Sequence, residues 1–322
     1  GKMSKLSFIA AYLQARDDYT IICHVSPDGD TLGSGLALYG ALRKLNKRVQ
    51  IVCEDALPRI YAFLPFSKDL QKPQNVPLTR NAISVDCAAR DRLGSAQALF
   101  AHARHTLNID HHATNAAYGD DNCVWDTAAT GEIVFNLLEM MGLIDPAIAT
   151  CLYTAIMTDT GNFAYANTSP ETLHAAAELL EDGADNAYIN RCVYRTAPIG
   201  KIRLLGCALA GMELFSNGRL GLARITRQDF AKTAAASEDV EGIIDHIRDV
   251  DTVEIAILAR ETAEAGVCKV SLRSKNEADV GAISAKMQGG GHKRAAGYTD
   301  HGTLDEVCAR ALQMAGAMLT GE

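Results

Sequence analysis

Four short stretches place carboxylates or imidazoles just past apolar runs. His24-Val25-Ser26-Pro27-Asp28-Gly29-Asp30 follows Ile21-Ile22-Cys23, and Asp86 follows Ile83-Ser84-Val85. Asp110-His111-His112 closes Leu107-Asn108-Ile109, and Asp159 follows Ala155-Ile156-Met157-Thr158. Carboxylate and imidazole donors suit divalent ions such as Mg²⁺ and Mn²⁺. Two-metal phosphoester sites hold their ions ~3.5–4 Å apart, with one carboxylate between them. Each stretch alone has a plainer reading. Asp28-Gly29-Asp30 is a common turn and helix cap, His111 a satisfied buried histidine, and Asp159-Thr160-Gly161-Asn162 an ordinary loop. Together they are costly to bury unless their charge is compensated, and that favours a metal site. His24, Asp28 and Asp30 share parity, so an extended segment would aim them one way. Gly29 and Gly33 would then relieve crowding where the chain wraps the ions.

The elements that must position these residues alternate along the first half of the chain. Residues 20–26, 48–54, 81–87 and 105–109 read as strands. Residues 31–45 and 130–141 carry helical apolar spacing, the latter at Ile133, Val134, Leu137, Leu138 and Met141. Asp145-Pro146 and Ser169-Pro170 look like N-caps followed by proline at the first helical position. The alternation predicts an α/β fold with a doubly wound, mostly parallel sheet. Ligands of such sheets bind at the carboxyl ends of the strands, where the candidate residues sit. After a linker at 193–200, the expected elements are a helix from Lys201 to about Met212, a strand at 219–225, a helix at 238–250, strands at 253–260 and 267–274, a Gly-rich loop and a last helix at 304–319. The expected division is therefore 1–192 for a metal-binding catalytic domain and 201–322 for a smaller α/β substrate-binding domain.

Composition narrows the class. The chain has 322 residues, 48% hydrophobic and 22% charged, with no run long enough for a membrane helix. Its nine cysteines form no Cys-x-x-Cys pair and several lie in apolar runs. That argues for a reducing compartment, the cytoplasm, and against a cysteine-zinc site. The formal charge of −8 argues against long duplex nucleic acid as a partner. Short phosphorylated substrates remain compatible where bound cations reverse the local field. Gly29, Gly33 and Gly35 do not form G-x-G-x-x-G, which removes a dinucleotide dehydrogenase. A homodimer is expected on general grounds only.

The four ordered stretches resemble the motifs of the DHH phosphoesterases. Val270-Ser271-Leu272-Arg273-Ser274 and Gly289-Gly290-Gly291-His292-Lys293-Arg294-Ala295-Ala296-Gly297 resemble the DHH-associated domain with a GGGH loop. Gln288 stands where many relatives have another glycine. Nearly the whole chain is covered, and the two-domain form looks most like the oligoribonucleases that also act on 3′-phosphoadenosine 5′-phosphate. The resemblance implies two Mn²⁺ or Mg²⁺ ions. His24, Asp28 and Asp86 would hold one, and Asp30, Asp86, His111 and Asp159 the other. Asp110 would orient the histidines, and His112 would contact the scissile phosphate or protonate the leaving oxygen, so that Asp86, Asp110 and His112 form the catalytic set. Arg273, Ser274, Gly289, Gly290, Gly291, His292 and Arg294 would bind substrate, with arginine's planar fork suited to phosphate. Expected substrates are short 5′-phosphorylated oligonucleotides, linear dinucleotides or nucleoside bisphosphates, taken into a cleft too closed to thread a long chain. A cyclic-dinucleotide phosphodiesterase and a non-catalytic nucleotide-binding protein are the alternatives.

Overall fold

The computed structural model describes residues 1–321, which divide into two compact units, Gly1–Thr196 and Ala197 onward. Both units are α/β, as the alternation predicts.

The first unit contains α1 (Lys2–Ala15), β1 (Tyr19–Cys23), α2 (Gly29–Lys44), β2 (Val49–Val52), β3 (Leu70–Gln71), β4 (Asn81–Val85), α3 (Gln97–His102), β5 (His105–Asp110), β6 (Asp121–Val124), α4 (Thr130–Met140), α5 (Pro146–Asp159), α6 (Pro170–Glu181) and α7 (Asn186–Tyr194). Its six strands run parallel in the order β3-β2-β1-β4-β5-β6. Every residue of β1 and β4 is buried. Strands covered on both faces have no reason to alternate, and Thr20, Asn81 and Ser84 are buried there among the apolar residues. From β1 the chain winds outward through β2 to β3, then returns to β4 beside β1 and winds the other way. The winding therefore reverses between β1 and β4, and ligands of open sheets gather at such a reversal.

Three close helix contacts lie beside that point. An added Cβ at Gly29 would overlap Thr158, at Gly33 the Cys151 carbonyl and Ala155, and at Gly131 the Ala155 methyl. These glycines let α2 and α4 press against α5. The expectation that Gly29 and Gly33 make room around ions is corrected here, because they make room for a neighbouring helix. β1, β2 and β4 end earlier than expected: β1 stops at Cys23, and Asp28 caps α2 by accepting from the Asp30 and Thr31 amides. His24, Asp28 and Asp30 therefore do not lie on one extended segment. A helical start turns Asp30 back over the strand end instead. The proline-led starts are as expected, with Asp145 and Ser169 accepting from the Ile148 and Thr172 amides.

The second unit contains α8 (Ile199–Ala210), β7 (Glu213–Phe215), β8 (Leu220–Ile225), α9 (Arg227–Thr233), α10 (Ile243–Arg248), β9 (Ile255–Glu261), β10 (Val267–Ser274), α11 (Val280–Lys286), β11 (Gly290–His292), β12 (Ala295–His301) and α12 (Leu304–Thr320). Its mixed sheet has the order β11-β12-β10-β9-β8-β7, with β8 and β9 parallel and the other pairs antiparallel. Leu222, Ile257, Val270, Leu272 and Tyr298 face one core, and Ala223, Ile225, Ala256 and Leu258 face another with Leu204 and Ile247. The single helix expected at 238–250 is broken. A 3₁₀ turn at Ser237–Val240 ends, Gly242 takes φ +86°, and α10 begins after it.

Candidate metal centre

β1, β4 and β5 end side by side in the first unit, and each delivers a predicted residue at its carboxyl end. His24 follows β1, Asp86 follows β4, and Asp110 ends β5 with His111 and His112 after it. Asp86 adopts φ +60° immediately past its strand, and its amide donates to the Ile109 carbonyl at 2.9 Å. A left-handed aspartate costs about 1 kcal/mol or more, and strain of this kind concentrates at functional sites. Asp159 is the last residue of α5, and Gly161, Asn162 and Phe163 after it all have positive φ.

The eight predicted residues of this unit converge. His24 Nε2 lies 3.5 Å from Asp28 Oδ1 and 3.4 Å from Asp86 Oδ2. His111 Nε2 lies 3.4 Å from Asp86 Oδ1, 3.6 Å from Asp30 Oδ2 and 3.2 Å from Asp159 Oδ2. The two oxygens of Asp86 thus face two different histidines. His24 Nδ1 sits 2.7 Å from the Val25 carbonyl and His111 Nδ1 2.9 Å from the Thr127 carbonyl. A carbonyl accepts only a proton-bearing nitrogen, so in the neutral ring each Nε2 keeps a lone pair for the centre. Ligands each ~2.1 Å from a common ion are separated by roughly 3–3.4 Å, close to the spacings observed. Three groups have donor atoms within 4.8 Å of one another: His24, Asp28 and Asp86; Asp30, His111 and Asp159; and Asp86, Asp110, His111 and His112. The donor set is oxygen and imidazole throughout, with no thiolate, and fits a hard divalent ion.

Electrostatics point the same way. Burial, then the charges of Asp86 and Asp159, raise the Asp30 carboxyl well above the usual range. Burial and Asp86 push Asp159 to about 7. Burial opposes charge on the two histidines, but Asp28 and Asp86 outweigh it at His24, which rises to about 10. Asp86 outweighs it at His111, which rises to about 9. Burial would raise Asp86, yet both histidines together hold it well below the usual range. Without cations the centre retains protons, and divalent ions replace protons in such a donor set.

Several supporting residues escaped the sequence reading. Asp30 accepts from the Thr130 and Gly131 amides at 2.9 Å each, and from Ser34 Oγ at 3.1 Å. The start of α4 is therefore aimed at a carboxylate, an arrangement that the helix dipole stabilises. Thr130 Oγ1 donates to Asp86 Oδ1 at 3.0 Å. His112 Nδ1 lies 2.6 Å from Asp110 Oδ1, and Asn115 Nδ2 donates to Asp110 Oδ2 at 2.7 Å. That contact with Asp110 raises the His112 pKa, against burial. Thr130 carries a signal in hindsight, as a hydroxyl residue at a helix start, whereas Asn115 carries none.

The expected substrate-binding residues lie in the second unit, and the structure changes their reading. Arg273 sits off the core face, half-exposed, 3.9 Å from Asp245. Ser274 is turned inward: it is 3% exposed and its hydroxyl is buried without a partner. It follows Leu272 on the inward parity of β10, so its expected contact with substrate is corrected. The glycine run is not a loop, since Gly290–His292 forms an edge strand paired with β12. A Cβ at Gly289 would overlap the Gly297 carbonyl, and one at Gly291 the backbone of Ala295 and Ala296; Gly290 alone faces open space. His292 and Arg294 are exposed.

Comparison with known proteins agrees with this geometry. Residues 18–156 match the DHH family, N-terminal domain, and residues 224–319 match the DHHA1 domain. The chain is 35% identical to the bifunctional oligoribonuclease and PAP phosphatase NrnA of Thermus thermophilus, over 98% of this chain and 95% of that protein. It is 26% identical to the protein of the same name from Bacillus subtilis, over 85% and 86% of the two chains. The solved structure of an exopolyphosphatase-related protein from Bacteroides fragilis superposes with a TM-score of 0.90 at 28% identity, covering 99% of this chain and 98% of that one.

Proposed function

Because the chain belongs to the DHH family, whose members are metal-dependent phosphoesterases, we propose that it hydrolyses short 5′-phosphorylated oligonucleotides and linear dinucleotides to mononucleotides, and 3′-phosphoadenosine 5′-phosphate to AMP, with two Mn²⁺ or Mg²⁺ ions. One observation carries the two-metal reading: the carboxylate of Asp86 stands between two histidines, with a different oxygen toward each Nε2. His24, Asp28 and Asp86 would hold one ion, and Asp30, Asp86, His111 and Asp159 the other. Bound ions would supply Lewis acidity at phosphorus and a lowered pKa for the attacking water.

The chain's own residues supply the rest. His112 has its Nδ1 committed to buried Asp110, while its side chain is 44% exposed. Nε2 is thus left to carry a proton to the leaving oxygen, the task of a general acid. Asp110, itself fixed by Asn115, positions that ring. In the second unit Arg273, His292 and Arg294 supply donors for substrate phosphate, and the missing side chain at Gly290 leaves it room. The substrate classes are supported by the names of the NrnA relatives.

The test is product release with Mn²⁺ and with chelator over one panel: 5′-phosphorylated di- to pentanucleotides, a 24-mer, 3′-phosphoadenosine 5′-phosphate, a cyclic dinucleotide and pyrophosphate. The proposal expects metal-dependent mononucleotides from the shortest oligomers, turnover of the bisphosphate and a nearly untouched 24-mer. Preference for the cyclic substrate would replace it with a cyclic-dinucleotide phosphodiesterase. Absence of any turnover would leave a nucleotide-binding protein.

A further inference from the structure

Half of one face of the second unit's sheet is bare of helices, and the register there sets its side chains in rows. Arg260, Lys269 and Thr299 are cross-strand partners on β9, β10 and β12. The next row is Leu258, Ser271, Gly297 and Gly290, and the row beyond it holds Arg273, Ala295 and His292. Past the first row, His301 pairs with Val267. An open groove of about 550 Å³ runs over this surface, lined among others by Arg260, Lys269, Ser271, Gly289, Gly297 and His301. Its middle row has a side-chain-poor floor. Nothing lies within 4 Å of a Cβ placed on Gly290, and a Cβ on Gly297 would meet only the Val270 carbonyl.

Two cationic rows therefore flank a glycine floor. The Arg273 row belongs to the clamp already proposed, and the Arg260 row is separate from it. Lys269 and Arg273 are four residues apart on β10, roughly 13 Å at ~3.3 Å per residue. That exceeds the phosphate-to-phosphate span of one nucleotide. Arg260 is half-buried, and among the described residues no ion pair or hydrogen bond occupies its side chain or that of Lys269. A partly desolvated guanidinium with no anion beside it is an incomplete site, because burying an unpaired charge costs free energy. Tyr298, the one Phe, Tyr or Trp among the lining residues, is only 5% exposed and offers no ring face for a base to stack on.

We infer that Arg260 and Lys269, with His301 beyond them, form a phosphodiester subsite for the part of an oligonucleotide that extends past the clamp. It binds backbone without regard to base and acts on substrates longer than a dinucleotide. The inference rests on the oligonucleotide reading proposed above.

The test is the double variant Arg260→Gln/Lys269→Gln, assayed with Mn²⁺ on a 5′-phosphorylated dinucleotide and a pentanucleotide. KM for the pentanucleotide is expected to rise about five- to tenfold, and its log–log salt slope to fall by about 1.4, at ~0.7 per lost phosphate contact. KM for the dinucleotide should stay within about twofold. Equal changes for both substrates, or no change in either, would overturn the subsite. If the wild-type enzyme released nothing from any oligonucleotide, the proposed function would fail by itself. Fluorescence anisotropy of a labelled pentanucleotide would still judge the groove: weaker binding by the double variant supports it, and unchanged binding removes it.

Discussion

The two histidines at positions 111 and 112 are adjacent in sequence and opposite in role. His111 spends Nδ1 on the Thr127 carbonyl and turns Nε2 toward Asp30, Asp86 and Asp159. His112 spends Nδ1 on Asp110 and leaves Nε2 outward. The first arrangement suits a ligand and the second a proton donor. His112→Gln should therefore lower kcat by about 10²–10⁴ while Mn²⁺ affinity, read by calorimetry, stays within about twofold. A matching loss of Mn²⁺ affinity would make His112 a ligand instead. The carboxylates were legible because each follows an apolar run. The plainer reading of Asp28 was also correct, since it caps α2 through the Asp30 and Thr31 amides while lying beside His24. Ser34 and Asn115 were not legible, because nothing in the sequence says that either folds back onto the carboxylate four or five residues before it, and the partner of Thr130 lies a hundred positions away.

At the scale of elements, the centre exists because three helices crowd onto the carboxyl ends of three strands. β1, β4 and β5 each carry a short apolar core, Ile21-Ile22-Cys23, Ile83 with Val85, and Leu107 with Ile109, and were legible for that reason. The glycines of α2 were legible as residues but misread in purpose, since only a packed neighbour reveals that Gly33 faces the Cys151 carbonyl. Gly33→Ala should overpack the contact between α2 and α5 and cost about 1–3 kcal/mol, seen as a lower Tm. Because Asp30 lies three residues earlier on α2, Mn²⁺ affinity should fall with it. An unchanged Tm would mean that the helices meet less closely than described. The edge strand β11 was hidden because two glycines and a histidine carry no strand pattern. Ser274 was misassigned because a motif does not report strand parity, whereas the alternation of Val270 and Leu272 does.

At the scale of the whole molecule, among the described residues no helix is long and apolar enough to cross a membrane, and the first unit gathers a largely buried centre of carboxylates and histidines. That centre links stability to pH. His24, His111 and Asp159 all have folded pKa values above their ordinary ones, at about 10, about 9 and about 7. The metal-free fold therefore binds more protons than the unfolded chain, and this contribution is lost as pH rises. Asp159 loses it between about 4 and 7, and the histidines between about 6.5 and 10. Asp86 has the opposite sign, but its window lies below pH 4. Metal-free protein should thus show a lower Tm at pH 8.5 than at pH 6, and Mn²⁺ should reverse that order, because ions bind the deprotonated donors. A metal-free Tm that rises with pH over this range would contradict the assignment. The central claim, a pair of ions joined through Asp86, is tested most directly by counting bound Mn²⁺ in the wild type and in Asp86→Asn by calorimetry, with electron paramagnetic resonance to read spin coupling. The account predicts two coupled ions per wild-type chain, and at most one, uncoupled, in the variant. One ion in the wild type, or an unchanged coupled pair in the variant, would contradict it.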